Sequence, residues 1–319
     1  METILFHCPQ MTDLAKRIAS QNPNIRLGKT SWKMFEDGWP NYAIQKEQGL
    51  RRKRAVFLAS FDTPADVFKQ LSMIFSLPRL GAKETKVVLP YYPTGTMERG
   101  ETESVVVTAE TLARQMSAIQ PGRSGPVELV LYDVHSLDLR HYFGNSIMIR
   151  YKTGTKYLKK RLEKEDVSIA FPDVGAWKRF RLLFDGSRPG DRKFPIIICD
   201  KVRDGDKRSV TIREGEVRGR HVVVVDDIIK SGGTILECRA ALTAAGASAV
   251  SAFATHGSFP KESWKKFLGA GFQRVWITES CPQVAAKVAG QDPFEIISLA
   301  QSVARAILDE DDEADEVCD

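Results

Sequence analysis

At 319 residues, with 43% hydrophobic and 27% charged side chains, the chain is long enough for two domains of ordinary size and too apolar for a disordered protein. Its apolar runs fall short of the ~20 residues a membrane-spanning helix needs, and the opening Met-Glu-Thr-Ile-Leu-Phe-His-Cys resembles neither a signal nor a transit peptide. Net charge +5 conceals an asymmetry, because residues 309–319 hold eight acids and no base. The rest of the chain is therefore strongly basic. Its bases are scattered and not interleaved with aromatics, so small polyanions such as nucleotides and sugar phosphates suit it better than nucleic acid. Five cysteines (8, 199, 238, 281, 318) without CxxC spacing fit free thiols and a cytoplasmic setting.

In chain order, Leu-Gly-Lys-Thr at 27–30 is no P-loop, since Pro23 stands where the motif needs its first glycine. Arg-Arg-Lys-Arg at 51–54 reads as a solvated connector before a strand at 55–59. A helical pattern, Leu-Gly-Ala, a strand at 86–89 and Pro-Tyr-Tyr-Pro follow. Apolar strands are predicted at 129–133, 167–171, 195–199, 222–225, 250–254 and 275–278, separated by helical patterns. The span 55–93 and the span 221–260 share one plan of strand, turn, helix, Gly-Ala, strand, which suggests duplicated βαβ units. This alternation predicts an α/β fold with a domain boundary near residue 150 and ligands at the carboxyl ends of the strands. Residues 199–208 read as a mobile loop. Residues 293–308 read as a helix able to pack on either half, and 309–319 as a disordered acidic tail.

Chemistry concentrates at strand ends. His-Val-Val-Val-Val-Asp-Asp-Ile-Ile-Lys-Ser-Gly-Gly-Thr at 221–234 predicts a buried strand ending at Asp226 and Asp227, then a helix opening with Ser231, Gly232, Gly233 and Thr234. Backbone N–H groups and hydroxyls at such a turn make a phosphate cradle. Two carboxylates cannot serve the same phosphate, whereas vicinal sugar hydroxyls suit them. A ribose carrying a 5-phosphate uses both halves of the motif. Asp133 and His135, two apart at a strand end, point to one side and suit Mg²⁺ if phosphates and waters complete the octahedron; a satisfied core histidine is the alternative. Asp173 lies in another strand-end loop, Phe-Pro-Asp-Val-Gly-Ala-Trp-Lys-Arg at 171–179. Lys201 and Arg203 have the spacing of a clamp on a transferring phosphoryl group. Taken singly, each of these last features equally fits a solvated face.

Together and in this order, the motifs resemble ribose-phosphate diphosphokinase, the family that makes phosphoribosyl diphosphate (PRPP). The resemblance runs from about Phe35 to Leu308. It implies two tandem phosphoribosyltransferase-like domains, 1–150 and 151–308, each a mostly parallel sheet flanked by helices. The substrates implied are ATP and ribose 5-phosphate, with Mg²⁺ as cofactor and a homo-oligomer, trimer or larger; the scattered bases and short apolar runs give no nucleic acid or membrane as partner. It also implies Asp133, His135 and Asp173 at the metal, and Lys201, Arg203 and His135 in catalysis. Asp173, Asp226, Asp227, Lys230, Ser231, Gly232, Gly233 and Thr234 would hold ribose 5-phosphate. Phe35 and Asp37 of a neighbouring subunit, with Thr94, Gly95, Thr96, Arg99 and His135, would hold ATP. The chain departs from the common class at Thr-Gly-Thr-Met-Glu-Arg (94–99), at Phe-Glu-Asp-Gly-Trp-Pro-Asn (35–41) and at Lys230, where aspartate is usual. These departures are similar to the plant-type class. A PRPP-consuming phosphoribosyltransferase and a catalytically silent regulatory homologue are the alternatives.

Overall fold

The computed structural model describes residues 1–45, 49–100, 102, 104–187, 190–204 and 207–310, with the side chains of 201–204 and 207–209 outside that description. The chain divides into two units, Met1–Lys152 with Leu299–Asp319, and Thr153–Ser298.

The first unit runs β1 (Thr3–His7), α1 (Thr12–Gln21), β2 (Ile25–Leu27), a hairpin of β3 (Thr30–Met34) and β4 (Pro40–Ile44), β5 (Arg54–Leu58), α2 (Pro64–Arg79), β6 (Glu84–Leu89), α3 (Thr108–Ser117), β7 (Val127–Tyr132) and β8 (Ile147–Lys152). Among the described residues its main sheet is wholly parallel, in the order β2-β1-β5-β6-β7-β8. Ala55, Val56, Phe57 and Leu58 are all buried, so this strand has no solvated side for polar alternation.

The second unit runs α4 (Thr155–Leu162), β9 (Val167–Phe171), α5 (Val174–Phe184), β10 (Ile196–Asp204), β11 (Lys207–Glu214), β12 (His221–Ile229), α6 (Gly233–Ala244), β13 (Ala249–Gly257), β14 (Val275–Thr278), α7 (Pro282–Val288) and β15 (Phe294–Ile297). Its sheet order is β11-β10-β9-β12-β13-β14-β15, with β10–β11 antiparallel and the other pairs parallel. Val222 and Val224 join the core that includes Ile235 and Cys238 of α6, while Val223 and Val225 join Phe180 and Phe184 of α5. The valine run is thus explained by burial on two faces.

Several expectations need correction. The described part of the 199–208 stretch is not a loop: Cys199–Asp204 and Lys207–Arg208 belong to the antiparallel pair β10 and β11, while 205 and 206 lie outside the described residues. Nor is 293–308 one helix. Phe294–Ile297, with buried Phe294 and Ile297 at its ends, pairs with β14, and only Ala300–Leu308 (α8) is helical. That helix belongs to the first unit, where Ser302 meets the Tyr132 hydroxyl at 2.9 Å and Val303, Ala306 and Ile307 are buried.

Arg54 is not part of a solvated connector, and Asp309 is not a free tail residue. Arg54 begins β5, bonds Glu84 at 2.9 Å, donates to the Ile307 carbonyl at 2.6 Å and pairs with Asp309. Lys86, only 3% exposed, pairs with Glu128 at 3.0 Å and with Asp309, and donates to the Ala306 carbonyl. Arg150 closes the set onto Glu128 at 2.8 Å. Cations thereby meet the negative end of α8, where Asp309 adopts the left-handed conformation (φ 58°). Residues 311–319 lie outside the described residues. Burial raises the Asp309 carboxyl, but the hydrogen bond and charge of Lys86, with Arg54 and Arg150, outweigh it and hold the group below its ordinary value. Its contribution is therefore present at neutral pH and lost as pH falls through that depressed value. Lys86→Ala, which strips Glu128 and Asp309 of their buried partner, should cost about 3 kcal/mol in denaturant unfolding. A loss below about 1 kcal/mol would mean the network does not anchor α8.

Candidate functional site

The turn between β12 and α6 is built around Gly232. Its φ of +82° is left-handed, and a Cβ there would lie 2.5 Å from the Phe267 ring. Both facts demand glycine. The first helical bond of α6 is Leu236 N–H to the Gly232 carbonyl, and among the described residues no side chain caps this helix. The N–H groups of Gly233, Thr234 and Ile235 therefore precede the helical ladder and, with the positive helix end, form an anion cradle. Ser231 and Lys230 are exposed beside it.

The corresponding turn of the first unit is closed on itself. Thr63 caps α2, its hydroxyl accepting from Asp66 N–H at 3.2 Å, while the Asp66 carboxylate accepts from Thr63 N–H at 3.1 Å. Gln70 braces the backbone of Ser60 through its N–H at 3.0 Å and its carbonyl at 2.6 Å. A capping box consumes the donors that the second unit leaves available.

Asp226 and Asp227 do not end β12. The strand continues to Ile229, pairing with β13 as far as Gly257, so the carboxylates sit inside it, three and two residues before its end. Asp227 is buried and receives the Arg179 guanidinium of α5 at 3.4 Å. The motif at 171–179 gives Arg179 no role of its own; the packing of α5 beside β12 does. Asp173 is the N-cap of α5, accepting from Ala176 N–H at 2.9 Å. Burial, the charge of Asp227 and then that of Asp173 push the Asp226 carboxyl well above its ordinary value. Asp173, Asp226 and Asp227 thus bring three carboxylates near one another on the strand that leads to the anion cradle and at the start of α5.

In the first unit, Asp133 and His135 do not share one side. Asp133 has φ +33°, which breaks the extended alternation, and it is buried while His135 is exposed. The Thr94–Arg99 loop does reach this strand end: a Cβ on Gly95 would lie 3.7 Å from His135 N. Arg99 pairs with Asp138, and the Tyr142 hydroxyl donates to the Glu98 carbonyl at 2.6 Å. Thr94 and Thr96 flank Gly95 around the short 3-10 turn Gly95–Met97. Phe35 and Asp37 occupy the β3–β4 turn, away from this loop in sequence and on a different sheet. Phe35 is 54% exposed, and Asp37 accepts from Trp39 N–H. Lys201 and Arg203 lie on β10 opposite Val210 and Arg208, with side chains outside the described residues.

Among the described residues no three His, Cys, Asp or Glu side chains gather into a metal cage. Mg²⁺ is commonly held by one or two carboxylates, with phosphate oxygens and water completing its shell. One carboxylate of this neighbourhood, Asp173, fits such a partial role, whereas the exposed imidazole of His135 offers nitrogen where Mg²⁺ prefers oxygen.

Residues 3–119 match the family profile of the N-terminal domain of ribose phosphate pyrophosphokinase, and residues 159–272 match the phosphoribosyl transferase domain. Ribose-phosphate pyrophosphokinase 3, mitochondrial, of Spinacia oleracea is 48% identical over 95% of this chain and 76% of its own length. Ribose-phosphate pyrophosphokinase 4 of Arabidopsis thaliana is 45% identical over 95% of this chain and 91% of its own. This chain belongs to the ribose-phosphate pyrophosphokinase family. Within that family it stands with the plant enzymes, since identity to the Ureaplasma parvum enzyme is 27% over 96% of this chain and 90% of that one. The crystal structure of phosphoribosylpyrophosphate synthetase from Mycobacterium smegmatis has the same fold, with TM-score 0.77 at 22% identity over 97% of this chain and 98% of that one.

Asp226→Asn tests the site's electrostatics. Below the unfolded-state value of an aspartate both forms are protonated and the raised group costs nothing. As pH rises the unfolded chain ionises first, so the folded state loses stability until Asp226 also ionises. The variant should therefore melt a few degrees above the parent at neutral pH, with the gap closing in acid. Equal melting curves at neutral pH would contradict the crowding.

Proposed function

We propose that the chain transfers the diphosphoryl group of ATP to O1 of ribose 5-phosphate, giving PRPP and AMP. The observation that carries this reading is the uncapped start of α6 beside Asp226 and Asp227, in a member of this family. The 5-phosphate would rest on the N–H groups of Gly233 and Thr234 and the hydroxyls of Ser231 and Thr234, with Lys230 alongside. Asp226 and Asp227 would accept the 2- and 3-hydroxyls, which fixes O1 for attack. Positioning of this kind is a large part of catalysis in phosphoryl transfer.

O1 attacks the β-phosphorus, its bond to the α-bridging oxygen breaks, and AMP leaves as the O1 proton is lost to solvent or base. Charge develops on the non-bridging oxygens. Lys201 and Arg203 are assigned to them by resemblance, as donors that strengthen in the transition state and exclude water. Mg²⁺, when bound, would supply charge neutralisation on the ATP phosphates; Asp173 would offer it a carboxylate oxygen, while Asp133 and His135 are assigned to it by the family resemblance alone. The Thr94–Arg99 loop and His135 are assigned to ATP. The exposed Phe35, with Trp39 and Phe68 in ring contact at 6.2 Å, supports placing the adenine against a hairpin presented by a second copy.

Incubation of the purified chain with ATP, Mg²⁺ and ribose 5-phosphate alone should yield PRPP and AMP in equal amounts. A requirement for a nucleobase, or for a second protein, would overturn the reading. In the same assay Lys201→Ala should lower kcat by more than ~100-fold with ribose 5-phosphate binding nearly unchanged.

A further inference from the structure

Three consecutive residues of the Gly-Gly turn rest on one segment, the 3-10 stretch Pro260–Phe267. The Lys230 carbonyl accepts from the Ser263 hydroxyl at 3.0 Å, the Ser231 carbonyl accepts from the Lys266 ammonium at 3.4 Å, and Gly232 lies against the Phe267 ring. The segment reaches this position through left-handed backbone at Phe259, Lys261 and Glu262, with φ between 37° and 56°. Such conformations are costly for non-glycine residues and persist where surroundings enforce them. Its charges are unevenly satisfied. Glu262 pairs with Lys265 at 2.7 Å and with Lys287 at 3.5 Å, whereas Lys266 has no carboxylate partner among the described residues. An exposed ammonium is therefore held against the Gly-Gly turn by one long bond to the neutral Ser231 carbonyl.

We propose that Lys266 binds the 5-phosphate of the sugar substrate, as a specificity-determining cation delivered by the segment beneath the turn. The inference rests on the reading of the Gly-Gly turn as the 5-phosphate site. A phosphate monoester carries roughly −1.5 to −2 charge near neutrality, and a helix end supplies only about +0.5. Further positive charge is needed at that spot. Exchanging the Ser231 carbonyl for a phosphate oxygen gives Lys266 a charge-assisted hydrogen bond in place of a weak neutral one. The same exchange does nothing for unphosphorylated ribose. Lys266 thereby favours the phosphorylated sugar over the free one.

Calorimetric titration of the full chain with ribose 5-phosphate, in parent and variants, tests this. Lys266→Ala should weaken binding roughly tenfold, about 1.4 kcal/mol. Lys266→Arg should recover most of that loss, and Lys265→Ala, which removes the neighbour paired with Glu262, should bind like the parent. In steady-state assays the Lys266→Ala effect should fall on KM for ribose 5-phosphate, with KM for ATP unchanged and kcat within about twofold. Parent-like binding by Lys266→Ala overturns the proposal, as does equal damage from Ala and Arg accompanied by a lowered melting temperature, which marks a structural role. Because the comparison is of binding, it decides the role of Lys266 even for a chain that releases no AMP. Failure of the parent itself to bind ribose 5-phosphate overturns the site reading instead.

Discussion

The close approach of Gly232 to the Phe267 ring is the constraint on which the second unit's chemistry depends. It forces a left-handed residue between β12 and α6, and that residue lets the helix begin without a side-chain cap. Uncapped N–H groups in water are unremarkable, but here they stand at the end of a strand bearing two carboxylates. The first unit has the same order of strand, turn and helix and fills its own donors with Thr63 and Asp66. One scaffold therefore gives a sealed turn in one copy and an anion receptor in the other, and the difference lies in a few side chains.

The receptor is poised electrostatically. Burial, then the charges of Asp227 and Asp173, raise the Asp226 carboxyl, so the ligand-free fold carries a cost that sugar hydroxyls and a cation would relieve. Arg179 offsets part of it at Asp227. Such arrangements trade stability for binding, as functional sites commonly do. The first unit shows the opposite balance. Its buried charges at Lys86 and Glu128, together with the exposed Asp309, are matched and serve to fasten α8.

Local signals made much of this legible in the sequence. The four valines, the aspartate pair and the double glycine announce a buried strand, a carboxylate end and a turn, because each depends on neighbours close in the chain. Long-range packing was not legible. In Lys-Val-Arg-Asp-Gly-Asp-Lys the Asp-Gly pair suits a hairpin turn, but its charged flanks lack apolar alternation, so only the pairing of β10 with β11 decides for a hairpin over a loop. The aspartate pair lies inside β12 because Ile228 and Ile229 find partners on β13, which no local pattern reveals. Asp133 and His135 part company through a single positive φ, and period-two reasoning assumes extended backbone throughout. Ser263, Lys266 and Phe267 are more than thirty residues from the turn they support and carry no motif.

Amide exchange followed by NMR offers the most direct test of the Gly-Gly turn as a phosphate receptor. Added ribose 5-phosphate should slow exchange at the backbone N–H groups of Gly233, Thr234 and Ile235, while free ribose and the self-capped turn at Asp66 show no comparable change. Unaltered exchange at all three amides under saturating ribose 5-phosphate would contradict the account at its centre.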